Sequence, residues 1–151
     1  MSTNKARAAA AKTEGNNFFK SKDFERAIAK YSEAIELDPS DVTFFSNRSA
    51  CYAALNQWQE AADDGRQCII CDKNFVKGYF RAALANQSLG NLDAANDAIK
   101  RGLGIEPTNV DLKRMDKEVG EAIRMKKVDA AITSAEQQVY CCWKVFPTFL
   151  L

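Results

Sequence analysis

At 151 residues, 46 % of them apolar and 27 % charged, the chain has the length and composition of one domain with a real core. Twenty-one Lys and Arg against 20 Asp and Glu leave a formal net charge of +1, so no global field draws the protein to nucleic acid or anionic lipid, and charge-driven recognition must be local. No window approaches the roughly 20 apolar residues of a membrane span, and the segment Met1 to Lys12 carries an alanine run, Ala8 to Ala11, without the apolar stretch of a signal peptide.

In chain order, the spacing predicts a first helix from about Asn4 to Lys20 and a turn at Ser21-Lys22-Asp23. A second helix follows from about Phe24 to Leu37, with Phe24, Ala27, Ile28, Tyr31, Ala34 and Ile35 at helical spacing. Asp38-Pro39-Ser40 breaks it, and Ser40 or Asp41 caps the next helix. A second pair covers about Val42 to Leu55 and Trp58 to Cys71. A third covers about Phe75 to Leu89 and Leu92 to Ile105, joined by Gly90-Asn91. Asn109 then caps a seventh helix whose apolar stripe is Leu112, Met115, Val119, Ala122 and Ile123, opposite a charged, solvated face. From Val139 the chain turns apolar, with Lys144 as its single charged side chain through Leu151. Three readings of that tail compete: packing on the rest of the fold, contact with a partner, a membrane surface or a second copy, and a remnant of an atypical transcript. Acylation of Cys141-Cys142 has no support beyond adjacency to apolar residues.

The three helix pairs recur with one period of about 34 residues. Gly15, Ser49 and Ala83 fall at one phase, Phe18, Tyr52 and Asn86 at a second, and Ala27, Ala61 and Ala95 at a third. Tyr31, Gly65 and Ile99 share a fourth, Ala34, Cys68 and Gly102 a fifth, and Pro39, Lys73 and Pro107 close each unit. Small residues mark where helices come close, larger apolar ones where they interlock. The pattern resembles the tetratricopeptide repeat, a helix–turn–helix unit. The resemblance implies an all-α, right-handed α-solenoid of three repeats (8–41, 42–75 and 76–108) after a short N-terminal extension (1–7). A capping helix (109–131) and the apolar tail (132–151) follow. A single unit cannot bury its own apolar face, so tandem stacking and a cap are required.

Stacked pairs make a curved solenoid with the first helix of each pair lining the concave side. Lys12 and Asn16 are four residues apart, hence on one helix face, and Lys77 and Arg81 repeat that spacing on the third such helix. Asn47 lies one full period before Arg81, at the same phase on the helix between them. Three cations and two carboxamides thus converge on one groove with no carboxylate among them, a receptor for an anion bearing more than one carboxylate.

The segments Lys-Thr-Glu-Gly-Asn (12–16), Ser-Asn-Arg-Ser-Ala (46–50) and Lys-Gly-Tyr-Phe-Arg (77–81) resemble the two-carboxylate clamp of tetratricopeptide co-chaperones. That group includes the Hsp-organising protein, the small glutamine-rich repeat co-chaperones and the repeat domain of protein phosphatase five. The resemblance implies binding of the C-terminal Glu-Glu-Val-Asp of the cytosolic heat-shock proteins Hsp90 and Hsp70. Carried over by position, Lys12, Asn16 and Asn47 hold the terminal carboxylate, Lys77 the last Asp side chain, and Arg81 that side chain or upstream carbonyls and acids. Phe19, Ala50 and Ala53 match positions that shape the pocket for the penultimate Val. Two positions depart from the pattern: Ala54 stands where relatives often carry Lys, and Ser88 where an aromatic can wall the upstream pocket.

Other chemistries find little support. Five cysteines in irregular spacing, with no His, do not make a disulfide framework and point to a reducing, cytoplasmic setting. Cys68 and Cys71 form a CxxC, but near a helix C-terminus, where the dipole opposes a thiolate, and without further ligands for zinc. Cys68 also occupies a small-residue phase, so packing is its better reading. Gly102 and Gly104 lie two apart but lack the third glycine of a phosphate loop. The sequence therefore reads as a binding module needing no cofactor or metal, not an enzyme. The alternative is a scaffold whose groove binds a different client peptide or its own apolar tail.

Overall fold

The computed structural model describes residues 2–145, with side chains for 3–138. Among the described residues there are seven helices and no strand: α1 (Ser2–Lys20), α2 (Phe24–Leu37), α3 (Val42–Ala54), α4 (Trp58–Cys71), α5 (Val76–Ser88), α6 (Leu92–Ile105) and α7 (Val110–Val145). Consecutive helices pack on each other along the chain, and α3 also meets α5, as in a helical-repeat solenoid.

The turns repeat with the same period as the helices. Lys22, Asn56 and Gly90 stand at one phase, and all three adopt left-handed backbone (φ 61°, 58° and 76°), reversing the chain between the two helices of each pair. Glycine takes that conformation without steric cost, whereas lysine is the least suited of the three. At the other end of each pair, Asp41 Oδ1 accepts from the Thr43 N–H (2.9 Å) and Asn109 Oδ1 from the Leu112 N–H (3.0 Å), capping α3 and α7.

The phase-matched small residues are the points of closest approach. Ala27, Ala34, Cys68, Ala83, Ala95 and Ile99 are completely buried. A Cβ on Gly65 would stand 2.6 Å from the Ala82 backbone nitrogen, and one on Gly102 would stand 2.7 Å from Leu112 Cδ1. These glycines let α4 touch α5 and α6 touch α7. Cys68 is packing material: its thiol lies 3.7 Å from the Val42 carbonyl oxygen, and burial pushes it up to about 12. Arg48 of α3 makes two hydrogen bonds to Asp64 of α4 within its own pair (2.8 and 2.7 Å) and one to Ser32 Oγ of α2 in the preceding pair (2.8 Å). Burial raises the Asp64 carboxyl against the pull of Arg48; the two-pronged geometry is the strong form of such a pair.

The seventh helix changes partners along its length. Leu112, Met115 and Val119 are buried against Ala82, Ala98 and Ile99, with Ile123 at the edge of the same cluster. The apolar stripe then restarts at Met125, about half a turn further round the helix, and Met125, Val128 and Ile132 are 63 %, 52 % and 52 % exposed. The helix is not interrupted at 131, where the sequence predicted the cap to give way to a separate tail; it runs on to Val145 with residues 124–138 all exposed. The capping stretch thus ends earlier, near Ile123, because only that far do the apolar side chains face the third repeat. The expected packing of 139–151, like the Cys141-Cys142 pair, falls outside the described side chains. Among the described residues no helix is long and apolar enough to cross a membrane.

The division within α7 has a measurable consequence. Leu112→Ala should cost about 2–5 kcal/mol by opening a cavity under the third repeat, while Ile132→Ala should stay within about 0.5 kcal/mol. Urea unfolding of the two variants separates the buried face from the exposed one.

Candidate functional site

The concave face is built by α1, α3 and α5, and its centre is a cavity of about 120 Å³ lined by Asn16, Phe19, Tyr31, Asn47, Ala50, Lys77 and Arg81. Four of the five polar residues singled out in the sequence therefore meet there. The fifth, Lys12, stands one turn up α1, where its ammonium lies 3.7 Å from Asp41 Oδ2 and 5.5 Å from the Phe44 ring centroid. Of the three apolar positions, Phe19 and Ala50 line the cavity. Ala53 does not: it packs on the cluster of Ala61, Ala62 and Ala85, one turn beyond Ala50 and towards α4.

The carboxamides are fixed by a residue the clamp comparison did not include. Tyr31 Oη donates to Asn16 Oδ1 at 2.8 Å, and Asn47 Nδ2 donates to the same oxygen at 3.3 Å. With its oxygen engaged twice, Asn16 has its Nδ2 left as a donor, and Asn47 keeps a second N–H. Burial, the main cause, pushes the Tyr31 phenol up to about 12, so it remains a donor at neutral pH. Tyr31 reaches α1 because residue 15 is glycine: a Cβ there would stand 2.8 Å from the tyrosine ring. The signal was present in the sequence, since among Tyr31, Gly65 and Ile99 at one phase only Tyr31 carries a polar tip.

The two cations on α5 are held without counter-charge. Among the described residues neither Lys77 nor Arg81 has a carboxylate within ion-pair distance. Burial first, and then the neighbouring Arg81, lower Lys77 below the ordinary lysine value; burial likewise lowers Arg81. The Arg81 Nε is buried with no hydrogen-bond partner, and its guanidinium carbon lies 5.8 Å from the Phe80 ring centroid. A buried donor without an acceptor is costly and calls for one from a ligand. The groove thus offers amide N–H groups from α1 and α3 and two positive charges from α5, an array of donors that an anion would complete.

Lys77 and Arg81 also wall a second cavity of about 330 Å³, shared with Val76, Phe80, Glu106, Asn109 and Asp111 where α5 meets α6 and α7. Nothing in the sequence placed these last three residues at the groove: Glu106 and Asn109 lie in the loop between α6 and α7, and Asp111 in the first turn of α7.

Paired helices stacked in register around a donor-lined groove define a helical-repeat solenoid. The chain belongs to the tetratricopeptide repeat family. Residues 15–55 match the family model described as TPR repeat, and residues 76–109 the one described as Tetratricopeptide repeat. Rat serine/threonine-protein phosphatase 5 is 36 % identical over 132 residues, which are 87 % of this chain and 26 % of that protein. The chain thus spans about a quarter of the length of that curated relative. The first TPR of Spaghetti (RPAP3), bound to the HSP90 peptide SRMEEVD, matches with a TM-score of 0.77 at 25 % identity, covering 80 % of this chain and 95 % of that one. The second TPR domain of human RPAP3, in complex with the HSP70 peptide SGPTIEEVD, gives 0.74 at 30 % identity, covering 76 % and 96 %.

Tyr31→Phe tests the orienting bond. It should cost about 0.5–1.5 kcal/mol of stability without disturbing the fold, read by urea unfolding and by an unchanged helical circular dichroism spectrum.

Proposed function

We propose that the chain is a co-chaperone-type adaptor, a cytoplasmic binding module and not an enzyme, whose groove takes the free C-terminal Glu-Glu-Val-Asp of Hsp90 or Hsp70. The observation that carries this reading is the convergence of Asn16, Asn47, Lys77 and Arg81 on one cavity with no carboxylate among its lining residues. The heat-shock peptides bound to the two RPAP3 domains support it. The free thiols of Cys51, Cys68 and Cys71 fit a reducing compartment.

In this reading the terminal carboxylate accepts from the Asn16 and Asn47 side-chain amides, already oriented by Tyr31. Lys12 joins them by leaving Asp41, at little cost, since a partly exposed pair is worth about 0–1 kcal/mol. Lys77 meets the last Asp side chain. Arg81 donates its unpartnered Nε, and the rest of its guanidinium, to that side chain or to carbonyls and acids upstream. Binding then supplies the counter-charge that α5 lacks. Phe19 and Ala50 bound the apolar space beside the donors, as a penultimate Val requires.

The affinity should be about micromolar, or about −8 kcal/mol, most of it from charge-assisted hydrogen bonds of about 1.5–3 kcal/mol each. Lys77→Ala and Arg81→Ala should each weaken a labelled peptide about ten- to a hundredfold in fluorescence anisotropy while leaving the thermal melt in place. Equal binding of the free-acid and C-terminally amidated peptides would refute the clamp.

The pH dependence has a definite sign. Only the protonated Lys77 attracts the Asp side chain, and its value in the free groove lies below the ordinary 10.5. Affinity should therefore decline as pH rises, beginning earlier than an unperturbed lysine would dictate, and Lys77→Arg should flatten that decline. Anisotropy titrations across the alkaline range, with folding checked by circular dichroism, read both curves.

A further inference from the structure

The second cavity shares Lys77 and Arg81 with the first, so the two adjoin along α5. Its distinguishing feature is a fixed carboxylate. Asp38, Asp72 and Glu106 stand at one phase of the repeat, each at the C-terminal end of its pair's second helix. The two aspartates fold back on their own turns, Asp38 Oδ1 accepting from the Ser40 N–H (3.2 Å) and Asp72 Oδ1 from the Asn74 N–H (2.9 Å). Glu106 is one carbon longer and breaks the pattern: its Oε2 accepts from the Asn109 side-chain amide at 3.1 Å and the residue lines the cavity. An amide orients the carboxylate without neutralising it. Among the described residues Glu106 has no ion-pair partner, whereas Asp111 on the same wall lies 3.3 Å from Arg114. Val76 and Phe80 supply an apolar wall beside it. Arg81 lines both cavities, and its Nε is enclosed without a hydrogen-bond partner.

We propose that this corner is a specificity subsite selecting a cationic side chain upstream of the acidic C-terminus, with Glu106 as the selecting group. The proposal rests on the clamp reading above. Neighbouring helix axes lie about 8–10 Å apart and an extended chain advances about 3.3–3.6 Å per residue. A peptide whose terminus sits between α1 and α3 thus reaches the α5–α7 corner about five to seven residues from its end. Its own acids neutralise Lys77 and Arg81 on the way, leaving Glu106 as the uncompensated charge. An aliphatic stem ending in a guanidinium or ammonium fits an apolar wall with a carboxylate at its rim.

The test uses SRMEEVD and its Arg→Ala analogue SAMEEVD, as free acids, titrated calorimetrically into the full chain. The intact protein should favour SRMEEVD about two- to fivefold, the range of a partly exposed ion pair, and the ratio should shrink with added salt. Glu106→Gln keeps an acceptor for Asn109 and removes the charge, so it should bring the ratio to one without weakening SAMEEVD. Asp111→Asn, already paired with Arg114, should change the ratio less. Equal binding of the two peptides by the intact protein, or a preference that survives Glu106→Gln, overturns the subsite. If SAMEEVD still binds only as the free acid and still depends on Lys77, the clamp stands and the subsite alone has failed. If neither peptide binds, or amidation makes no difference, both fall together.

Discussion

Close approach of helices at positions without a side chain is the constraint on which the rest of the molecule depends. Where residue 65 is glycine, α4 comes so near α5 that an added Cβ would stand 2.6 Å from the Ala82 backbone nitrogen. Residue 15 does the same for the Tyr31 ring and residue 102 for Leu112. Cores packed at crystal-like density leave no slack at such points, so each contact fixes both the separation and the rotation of its two helices. Fixing the rotation of α1, α3 and α5 fixes which residues face the concave side. The groove is a by-product of the packing on the other side of the same helices.

That rigidity is what lets the groove keep an unfavourable electrostatic arrangement. Lys77, exposed, and Arg81, half-buried, sit one turn apart on α5 without a carboxylate within reach among the described residues, and both are held below their ordinary values. Left to relax, such groups would turn to solvent or find acids. Instead Arg81 lies against Phe80 with its Nε enclosed and unpartnered, while Tyr31 and Asn47 both engage the Asn16 oxygen. At Arg81 the free groove carries part of the cost of desolvation in advance, and a carboxylate ligand meets donors already aimed.

The stack is also polarised along its length. Its first end is closed by α1, with Ala8 and Ala11 packed on Ala34 and Phe44. Its last end is closed by the first part of α7, and the corner there carries the unneutralised Glu106. A ligand lying across the groove thus passes from amide donors through cations to a carboxylate, an order that distinguishes one peptide direction from the other.

The sequence by itself determined the helices and their phase. α2, α4 and α6 begin and end where the apolar spacing and the turn residues place them, because helix start, stop and amphipathic face are written locally within a few residues. The repeat phasing likewise identified the buried small positions, since every repeat must solve the same packing problem. It also put Asn16, Asn47, Lys77 and Arg81 on one side of the stack. Tertiary structure alone decided what depends on contacts between distant segments. Tyr31 orients Asn16 from the neighbouring helix, Lys12 turns to Asp41 at the edge of the groove, and Ala53 faces α4 instead of the cavity. Glu106 enters the groove wall only because α6 and α7 bring their connecting loop beside α5. The division of α7 near Ile123 belongs here too: the stripe from Leu112 to Ile123 is legible in the sequence, and only the extent of the third repeat sets where along the helix the apolar side chains stop finding a surface to bury against.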